Sequence, residues 1–307
     1  MPIKIQNDIP VRSILENERI FVMDENRALH QDIRPLEIGI LNLMPLKEDT
    51  ELHLLRSLAN TPLQVNVHFI RVSSHVSKNT EISHLNKFYH SFSDIKDWKL
   101  DGFIITGAPV ELMEFEEVDY WQEFCEILDW TKTHVTSTIH LCWGAQAALY
   151  HEYGIKKFTL PKKVFGIYSH NVYHRKTLLL RGFDDVFNCP HSRHTDIDID
   201  ALRRIDNIRI LAESDEAGLL LCMTEDGSRI YNMGHLEYDR VTLQKEYERD
   251  RDRKDVQLPR NYFINDDPNN KAVLTWRAHC NAFYTNWLNY YVYQATPYDI
   301  TGIHKEK

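Results

Sequence analysis

The stretch Thr138-Ile139-His140-Leu141-Cys142-Trp143-Gly144-Ala145-Gln146 joins a short apolar strand to a segment rich in alanine. This pattern predicts a strand that ends at Cys142 and a helix that begins immediately after it. A sharp strand-to-helix turn exposes its central side chain at the carboxyl edge of a sheet. The N-terminus of the new helix favours the reactive thiolate form of a cysteine beside it. Cys142 is therefore a candidate nucleophile, with a buried structural cysteine as the alternative.

Apolar strands and amphipathic helices alternate on both sides of this turn. In the first half, strands are predicted at 36–43, 65–69, 101–106 and 134–141, with helices at 49–60 and 115–132. In the second half, the pattern predicts short strands near 208–212, 218–223 and 229–233, and helices near 240–253 and 272–293. Such alternation predicts an α/β fold with a doubly wound, mostly parallel sheet and helices on both faces.

The 307 residues suffice for one large domain with small appendages. We predict a polar N-terminal arm at 1–35 that packs on the main domain, which covers 36–300, and a C-terminal tail at 301–307. The mixed-charge run at 246–253 is expected to form a solvated helix face with local ion pairs.

Composition and charge narrow the classes of function. Lys and Arg total 36 against 45 Asp and Glu, a formal net charge of −9, which disfavours nucleic acid and anionic membrane surfaces as partners. The N-terminus lacks the apolar core of a secretory signal, and no apolar run approaches the roughly 20 residues of a membrane helix. The five cysteines are scattered and odd in number, which favours reduced thiols and a cytoplasmic location.

The segment Gly234-His235-Leu236-Glu237 is the second candidate for chemistry. It follows a predicted strand, and in extended chain residues i and i+2 point to the same side. Glu237 could therefore orient the imidazole of His235 as a general base. An oriented base beside a thiol is the general arrangement of an activated nucleophile. A hydrogen-bonded polar histidine without a catalytic role is the alternative.

The strand that ends in Thr106-Gly107-Ala108-Pro109 is the third candidate. Free N–H groups of Gly107 and Ala108, together with that of Trp143, could bind an oxyanion. An ordinary strand-ending turn explains the same residues equally well. Only 11 glycines are present, and neither GxGxxG nor GxxxxGK[ST] occurs, so no dinucleotide site or P-loop is predicted.

The sequence disfavours a zinc site. Cys189, His191 and His194 lie within six residues and include types that ligate zinc. A fourth ligand at the usual spacing is missing, and Pro190 interrupts the set. We therefore predict no bound metal.

Several longer motifs extend the pattern beyond these segments. They are Leu41-Asn42-Leu43-Met44-Pro45, Thr106-Gly107-Ala108-Pro109, His191-Ser192-Arg193, Gly234-His235-x-Glu237-Tyr238-Asp239, Thr285-Asn286-Trp287-Leu288-Asn289-Tyr290 and Tyr293-Gln294-x-Thr296-Pro297-Tyr298-Asp299. Together they resemble the homoserine O-acyltransferases of the MetA type, from residue 1 to about residue 300. The resemblance implies a flavodoxin-like, class I glutamine amidotransferase-like fold and an early step of methionine biosynthesis.

The resemblance also implies roles for individual residues. Cys142 would be the acylated nucleophile, His235 the general base and Glu237 its partner. Lys163, Ser192 and Arg249 would contact homoserine or the acyl group; a guanidinium such as that of Arg249 can bind a carboxylate at two points. The sequence does not show the coenzyme A contacts; Lys47 is a candidate for one, and the favoured alternative is a surface lysine.

The resemblance places Glu111 beside the acyl pocket, where a glycine would leave room for a succinyl chain. Two like charges ~4 Å apart cost about 4 kcal/mol at an effective dielectric of ~20, and a third of that is roughly tenfold in specificity. We therefore predict acetyl-CoA as the donor and co-substrate, with no permanently bound cofactor. The alternative for Glu111 is a carboxylate that points to solvent.

Other functions remain open from the sequence. A homoserine O-succinyltransferase, a glutaminase or amidase on the same three residues, and a binding or stress protein without turnover are the alternatives. The expected partners are the small molecules L-homoserine and acetyl-CoA. The sequence does not decide between a monomer and a homodimer.

Overall fold

The structure, a computed structural model, describes residues 3–6, 8–18, 22–23, 34–74, 80–252, 256–297 and 299–303. Much of the predicted arm (1–2, 7, 19–21 and 24–33) and most of the predicted tail (304–307) therefore lie outside the described residues. Tyr298 of the last sequence motif and Arg253 of the charge run also lie outside them.

Twelve strands within the described residues form one mixed sheet. They are β1 Ile3–Lys4, β2 Val22–Met23, β3 Leu36–Leu41, β4 Val65–Arg71, β5 Tyr89–Ser91, β6 Leu100–Ile105, β7 Val135–Leu141, β8 Lys157–Val172, β9 Val186–Ile197, β10 Ile208–Ser214, β11 Gly218–Thr224 and β12 Arg229–Asn232. Their order is β2-β1-β4-β3-β6-β7-β12-β11-β10-β8-β9, with β5 paired to β4. The arm thus contributes two short strands, of which β1 pairs with β4 and β2 pairs with β1.

Helices cover the sheet. In chain order they are α1 Arg12–Asn17, α2 Lys47–Leu58, α3 Ile82–Phe88, α4 Phe92–Ile95, α5 Trp121–His134, α6 Trp143–Tyr153, α7 Ile199–Leu202, α8 Thr242–Asp250 and α9 Arg277–Asn286. One buried apolar cluster includes residues of α2 and α9, and a second includes residues of α5 and α6. The predicted α/β class with helices on both faces is confirmed.

The parallel half of the sheet brings three loops to one edge. β6 pairs with β7, and β7 pairs with β12, all in parallel. The register places Ile105 opposite His140 and Leu141 opposite Asn232. Because parallel strands end at the same edge, the segments after β6, β7 and β12 lie side by side there.

The antiparallel half departs from the sequence prediction. Strands β8 and β9 form a long antiparallel hairpin that pairs with β10 through β8. β11 is antiparallel to both of its neighbours, β10 and β12. The hairpin was missed because the first half of β8 is polar and largely exposed, so it lacks the apolar run that marks a buried strand.

Two predicted helices have different bounds. The segment 115–132 begins with a 3₁₀ turn at Phe115–Glu117, and its α-helix starts only at Trp121. The segment 272–293 is α-helical from Arg277 and continues as a π-helix at Trp287–Tyr293. Trp287 is fully buried in the π-helix, and its indole N–H donates to Ser137 Oγ at 3.0 Å.

Substituting Gly144 by alanine should destabilise the fold. A Cβ at this position would lie 2.7 Å from the backbone oxygen of Thr106 and 3.1 Å from Ile105 Cγ2. We expect Gly144→Ala to lower the free energy of unfolding by about 1–2 kcal/mol, although alanine is the better helix former. Urea unfolding measures this. Gly302→Ala, whose nearest contact is 3.6 Å, is the control and should change stability by less than about 0.5 kcal/mol. Equal effects would contradict the prediction.

Candidate active site

Cys142 occupies the predicted turn between β7 and α6. Its backbone has φ 49° and ψ −115°, a conformation that non-glycine residues rarely adopt and that is typical of functional turns. The Cys142 N–H donates to the Asn232 carbonyl at 2.7 Å, and the Cys142 carbonyl accepts from the N–H groups of Ala145 and Gln146. Only 8% of Cys142 is exposed. The backbone is therefore fixed on both sides of a largely buried sulfur.

His235 and Glu237 lie directly beside this turn. The segment is a turn rather than the predicted extended chain, because the Tyr238 N–H donates to the His235 carbonyl at 3.2 Å. Even so, His235 Nδ1 lies 2.7 Å from Glu237 Oε1. Burial disfavours the charged imidazole, but the Cys142 sulfur and the Glu237 carboxylate outweigh burial and raise the pKa of His235 well above its ordinary value. The imidazole of His235 therefore lies close enough to the Cys142 sulfur to interact with it electrostatically.

The turn after β6 lies on the other side of Cys142. A Cβ built on Gly107 would be 3.3 Å from Cys142 Cβ and 3.7 Å from the Trp143 nitrogen. No described residue accepts a hydrogen bond from the N–H of Gly107, Ala108 or Trp143. The turn at Gly107 therefore packs against the Cys142 turn, and the three predicted N–H donors have no acceptor among the described residues.

One cavity of about 260 Å³ opens above these groups. It is lined by Cys142 and His235 and by the residues that the resemblance implied, which are Lys163, Ser192, Arg249 and Glu111. These residues come from the ends of β7 and β12, the β8–β9 hairpin, α8 and the loop after β6. The structure therefore gathers six of the predicted side chains around one space, while the seventh, Glu237, contacts His235 without lining the cavity.

Glu246, which the sequence analysis did not single out, is the centre of the polar contacts in this cavity. Its Oε2 accepts a short hydrogen bond from Ser192 Oγ and lies 3.7 Å from Lys163 Nζ. Its Oε1 accepts from the Tyr238 hydroxyl at 3.0 Å. Glu246 was missed because it begins the charge run at 246–253, which was interpreted as a solvated helix face. That interpretation is wrong for Glu246, whose side chain is 15% exposed.

Arg249 and Glu111 complete the charged lining of the cavity. Arg249 follows Glu246 by three positions on α8, so both residues lie on one helix face. Its guanidinium contacts Asp250 through two hydrogen bonds, and 63% of its side chain is exposed. Glu111 Oε2 accepts from the His194 N–H at 2.8 Å. The Glu111 carboxylate is therefore held against β9, and it does not point freely to solvent.

The interpretation of Lys47 as a surface lysine is wrong. Its side chain is buried, and its ammonium donates to the carbonyls of Asn42 at 2.6 Å and Met44 at 3.0 Å. Burial lowers the pKa of Lys47 to about 8. Lys47 thus supports the loop before α2, which lines one side of the cavity through Met44 and Pro45.

The cysteine and histidine cluster of β9 has other contacts. His191 lies 3.0 Å from the ring of His170, and the Cys189 thiol donates to the Pro190 carbonyl. His194 lies on the opposite side of the strand, because alternate residues face opposite ways. The described residues contain no group of three or more side chains that could hold a metal. Within the same described ranges, every helix is too short or too polar to span a bilayer.

The fold itself is shared with solved glutamine amidotransferases. One from Thermotoga maritima has a TM-score of 0.57 at 10% identity, covering 85% of this chain and 100% of its own. Another from Methylobacillus flagellatus has a TM-score of 0.54 at 12% identity, covering 84% and 95%. At such identities the likeness establishes the fold alone. The fold is therefore of the class I glutamine amidotransferase-like type.

Similarity in sequence is much closer to a group of acyltransferases. A family model described as homoserine O-succinyltransferase matches residues 2–298. Relatives named homoserine O-acetyltransferase are 62% identical in Agathobacter rectalis, over 97% of both chains, and 54% identical in Acetivibrio thermocellus, over 99% of this chain and 100% of that one. The chain belongs to the homoserine O-succinyltransferase family, and it is an acyltransferase.

The raised pKa of His235 gives a direct test of the site. The protonated ring contributes stability that is fully present below the unfolded pKa of ~6.5 and is lost as the pH rises through the folded value. Removing the sulfur in Cys142→Ala should lower the pKa of His235, because the remaining burial favours the neutral ring. An NMR titration of the imidazole carbons measures this. His140, whose pKa burial lowers to about 4, is the internal control. An unchanged pKa of His235 in Cys142→Ala would contradict the assigned coupling.

Proposed function

We propose that the protein is a homoserine O-acetyltransferase, which transfers the acetyl group of acetyl-CoA to the hydroxyl of L-homoserine in methionine biosynthesis. The observation that carries the proposal is the arrangement of Cys142 beside a His235 that bonds to Glu237, at a cavity lined by charged side chains of both signs. The names of the close relatives support the same reaction. We assign the activity to residues 36–300 and expect it in the cytoplasm, with no permanently bound cofactor.

In the first half-reaction, the Cys142 thiolate attacks the thioester carbonyl of acetyl-CoA. The N–H groups of Gly107, Ala108 and Trp143 are proposed to bind the oxyanion, since they lie beside the sulfur without described acceptors. The tetrahedral intermediate collapses, its C–S bond to coenzyme A breaks, and the leaving thiolate takes the proton held by His235. Cys142 then carries the acetyl group beside a neutral imidazole. The strained turn at Cys142 would thus hold the nucleophile and one oxyanion donor, the Trp143 N–H, while the turn after β6 would supply the other two.

In the second half-reaction, homoserine attacks the acetyl-enzyme. His235 takes the proton of the homoserine hydroxyl, while Glu237 stabilises the imidazolium that forms. Attack of the hydroxyl oxygen breaks the C–S bond and releases O-acetylhomoserine. The cysteine is regenerated, so the reaction is ping-pong. The low exposure of Cys142 suits a covalent acetyl-enzyme, because water that reached the thioester would hydrolyse it.

Charges on α8 and the β8–β9 hairpin suit a zwitterionic acceptor. Arg249 would bind the carboxylate of homoserine, and Glu246 would accept its ammonium. The two lie one helical turn apart, on the same wall as Ser192, which bonds to Glu246. Lys163 partly balances the carboxylate of Glu246 at 3.7 Å until the ammonium arrives.

The proposed preference for acetyl-CoA depends on Glu111. Its carboxylate lines the cavity and is fixed by the His194 N–H, so it would face the carboxylate of a succinyl chain. Succinyl-CoA is the second candidate, because the matching family model is named homoserine O-succinyltransferase. A glutaminase is favoured only by the shared fold, which carries no information about the reaction.

Replacing the nucleophile tests the acyl-enzyme. Cys142→Ala should lower kcat by roughly 10⁴-fold or more and should abolish the acetyl adduct. The nearest other thiol, Cys189 beside the His235 backbone, is fully buried, and burial raises its pKa. Intact-protein mass spectrometry after mixing with acetyl-CoA alone measures the adduct. Cys125→Ala is the matched control, since burial raises the pKa of Cys125 to about 11 and its thiol lies outside the cavity. An adduct that survives in Cys142→Ala would refute the scheme.

Two substitutions of Glu111 separate charge from size. Glu111→Gln removes the negative charge and keeps the volume, whereas Glu111→Gly also opens space. The measured quantity is the kcat/KM for succinyl-CoA divided by that for acetyl-CoA. We expect this ratio to rise about tenfold in Glu111→Gln and further in Glu111→Gly. Steady-state rates with both donors measure the ratio. A wild type that prefers succinyl-CoA would overturn the donor assignment while leaving the Cys142 chemistry intact.

A further inference from the structure

Tyr238 touches both functional halves of the site. Its ring stacks on the His235 imidazole, with centroids 4.1 Å apart and planes 18° apart. Its hydroxyl donates to Glu246 Oε1 at 3.0 Å. On its other side, the ring of His53 on α2 lies 5.7 Å away at 44°. One side chain therefore connects the base to the carboxylate that lines the acceptor side of the cavity.

The position of Tyr238 is fixed by its surroundings. Only 6% of the residue is exposed, and its carbonyl accepts from the Trp276 indole N–H at 2.9 Å. Its own N–H donates to the His235 carbonyl, which ties the two stacked residues together through the backbone as well. Burial and the nearby Glu246 raise the pKa of Tyr238 well above 10, so the phenol keeps the proton that it donates to Glu246.

We propose that Tyr238 is a positioning residue that couples the acceptor side of the cavity to the general base, an inference that rests on the proposed function. The face of an aromatic ring attracts a cation, so the stacked ring stabilises the imidazolium that forms when His235 takes the hydroxyl proton. The hydroxyl holds Glu246 in place for the ammonium of the acceptor. The ring and the hydroxyl thus have separate tasks.

The titratable groups packed around this pair come from several elements. Those that face His235 or Tyr238 are Cys142, Cys189, His191, Glu237, Glu246 and His53, and Asp239 lies beside His53. Of these, only Cys142 changes its charge between the two half-reactions, because acetylation removes the thiolate. In the acetyl-enzyme the imidazolium therefore depends more strongly on Glu237 and on the Tyr238 ring.

Two substitutions separate the ring from the hydroxyl. Tyr238→Phe keeps the ring and releases Glu246, so the KM for homoserine should rise about tenfold while the rate of Cys142 acetylation is unchanged. Tyr238→Leu also removes the ring. The pKa of His235 in the acetyl-enzyme should then fall, which shifts the acid limb of the pH profile for homoserine transfer down by about half a unit. Tyr238→Phe should keep the wild-type midpoint of this acid limb.

The experiment measures acetylation by rapid-quench mass spectrometry, transfer to homoserine by single turnover across pH, and stability by thermal unfolding. The double variant Tyr238→Phe/Glu246→Gln should have the homoserine KM of Glu246→Gln alone, because the hydroxyl acts through Glu246. Tyr150→Phe is the matched control. It removes a phenol hydroxyl that donates to a surface glutamate, Glu116, outside the cavity. It should change neither the KM for homoserine nor the pH profile of transfer.

The outcomes distinguish the two levels of the proposal. A wild type that forms no acetyl-enzyme overturns the proposed function and the coupling together. A wild type that forms it, with a homoserine KM unchanged in Tyr238→Phe, overturns only the coupling. Additive effects in the double variant overturn it as well. If Tyr238→Leu does not fold, the Phe variant and the double variant still decide, since they remove a single hydroxyl from Tyr238.

Discussion

The hydrogen bond from the Cys142 N–H to the Asn232 carbonyl, 2.7 Å long, is the contact on which the active site depends. It extends the parallel pairing of β7 and β12 by one step, from Leu141 opposite Asn232 to the turn itself. Ninety residues separate the two partners along the chain. Because this bond fixes where β12 ends relative to the nucleophile, the three residues that follow Asn232 suffice to carry His235 to the sulfur. A one-residue slip in this pairing would move the imidazole away and reverse the faces of β12.

Contacts with neighbouring residues offset the backbone strain at Cys142. A positive φ at a non-glycine residue costs of order 1–3 kcal/mol. The Cys142 carbonyl offsets part of this cost by starting α6, through its bonds to Ala145 and Gln146. Gly144 lets the helix approach the backbone of β6 closely, where any side chain would meet the Thr106 oxygen. The turn is therefore held by the sheet on one side and by the helix on the other, and the sulfur keeps its position beside His235.

The sequence predicted the parts of the fold whose periodicity is local and apolar. The strands that end at Ile105, Leu141 and Asn232 were found within one or two residues, and Cys142, His235 and Glu237 follow from them. The β8–β9 hairpin was not predicted, because its outer half is polar and its pairing is set by contacts along the partner strand. Glu246 was missed for a related reason. The charge pattern of a mixed-charge helix does not show which of its faces the rest of the protein covers, so the sequence predicted a solvated carboxylate.

The parts that local patterns missed are the parts that distinguish this site from others on the same fold. Solved glutamine amidotransferases share the sheet at 10–12% identity, so a strained turn at the edge of the sheet does not by itself define a reaction. Lys163 and Ser192 come from the antiparallel hairpin, and Glu246 comes from α8. Lys163 lies where the register of the hairpin shifts, between Thr159 and Val164, and such irregularities redirect side chains near active sites. The parallel half of the sheet thus supplies the proposed reactive groups, while the antiparallel half and α8 supply the charges that would select what can approach them.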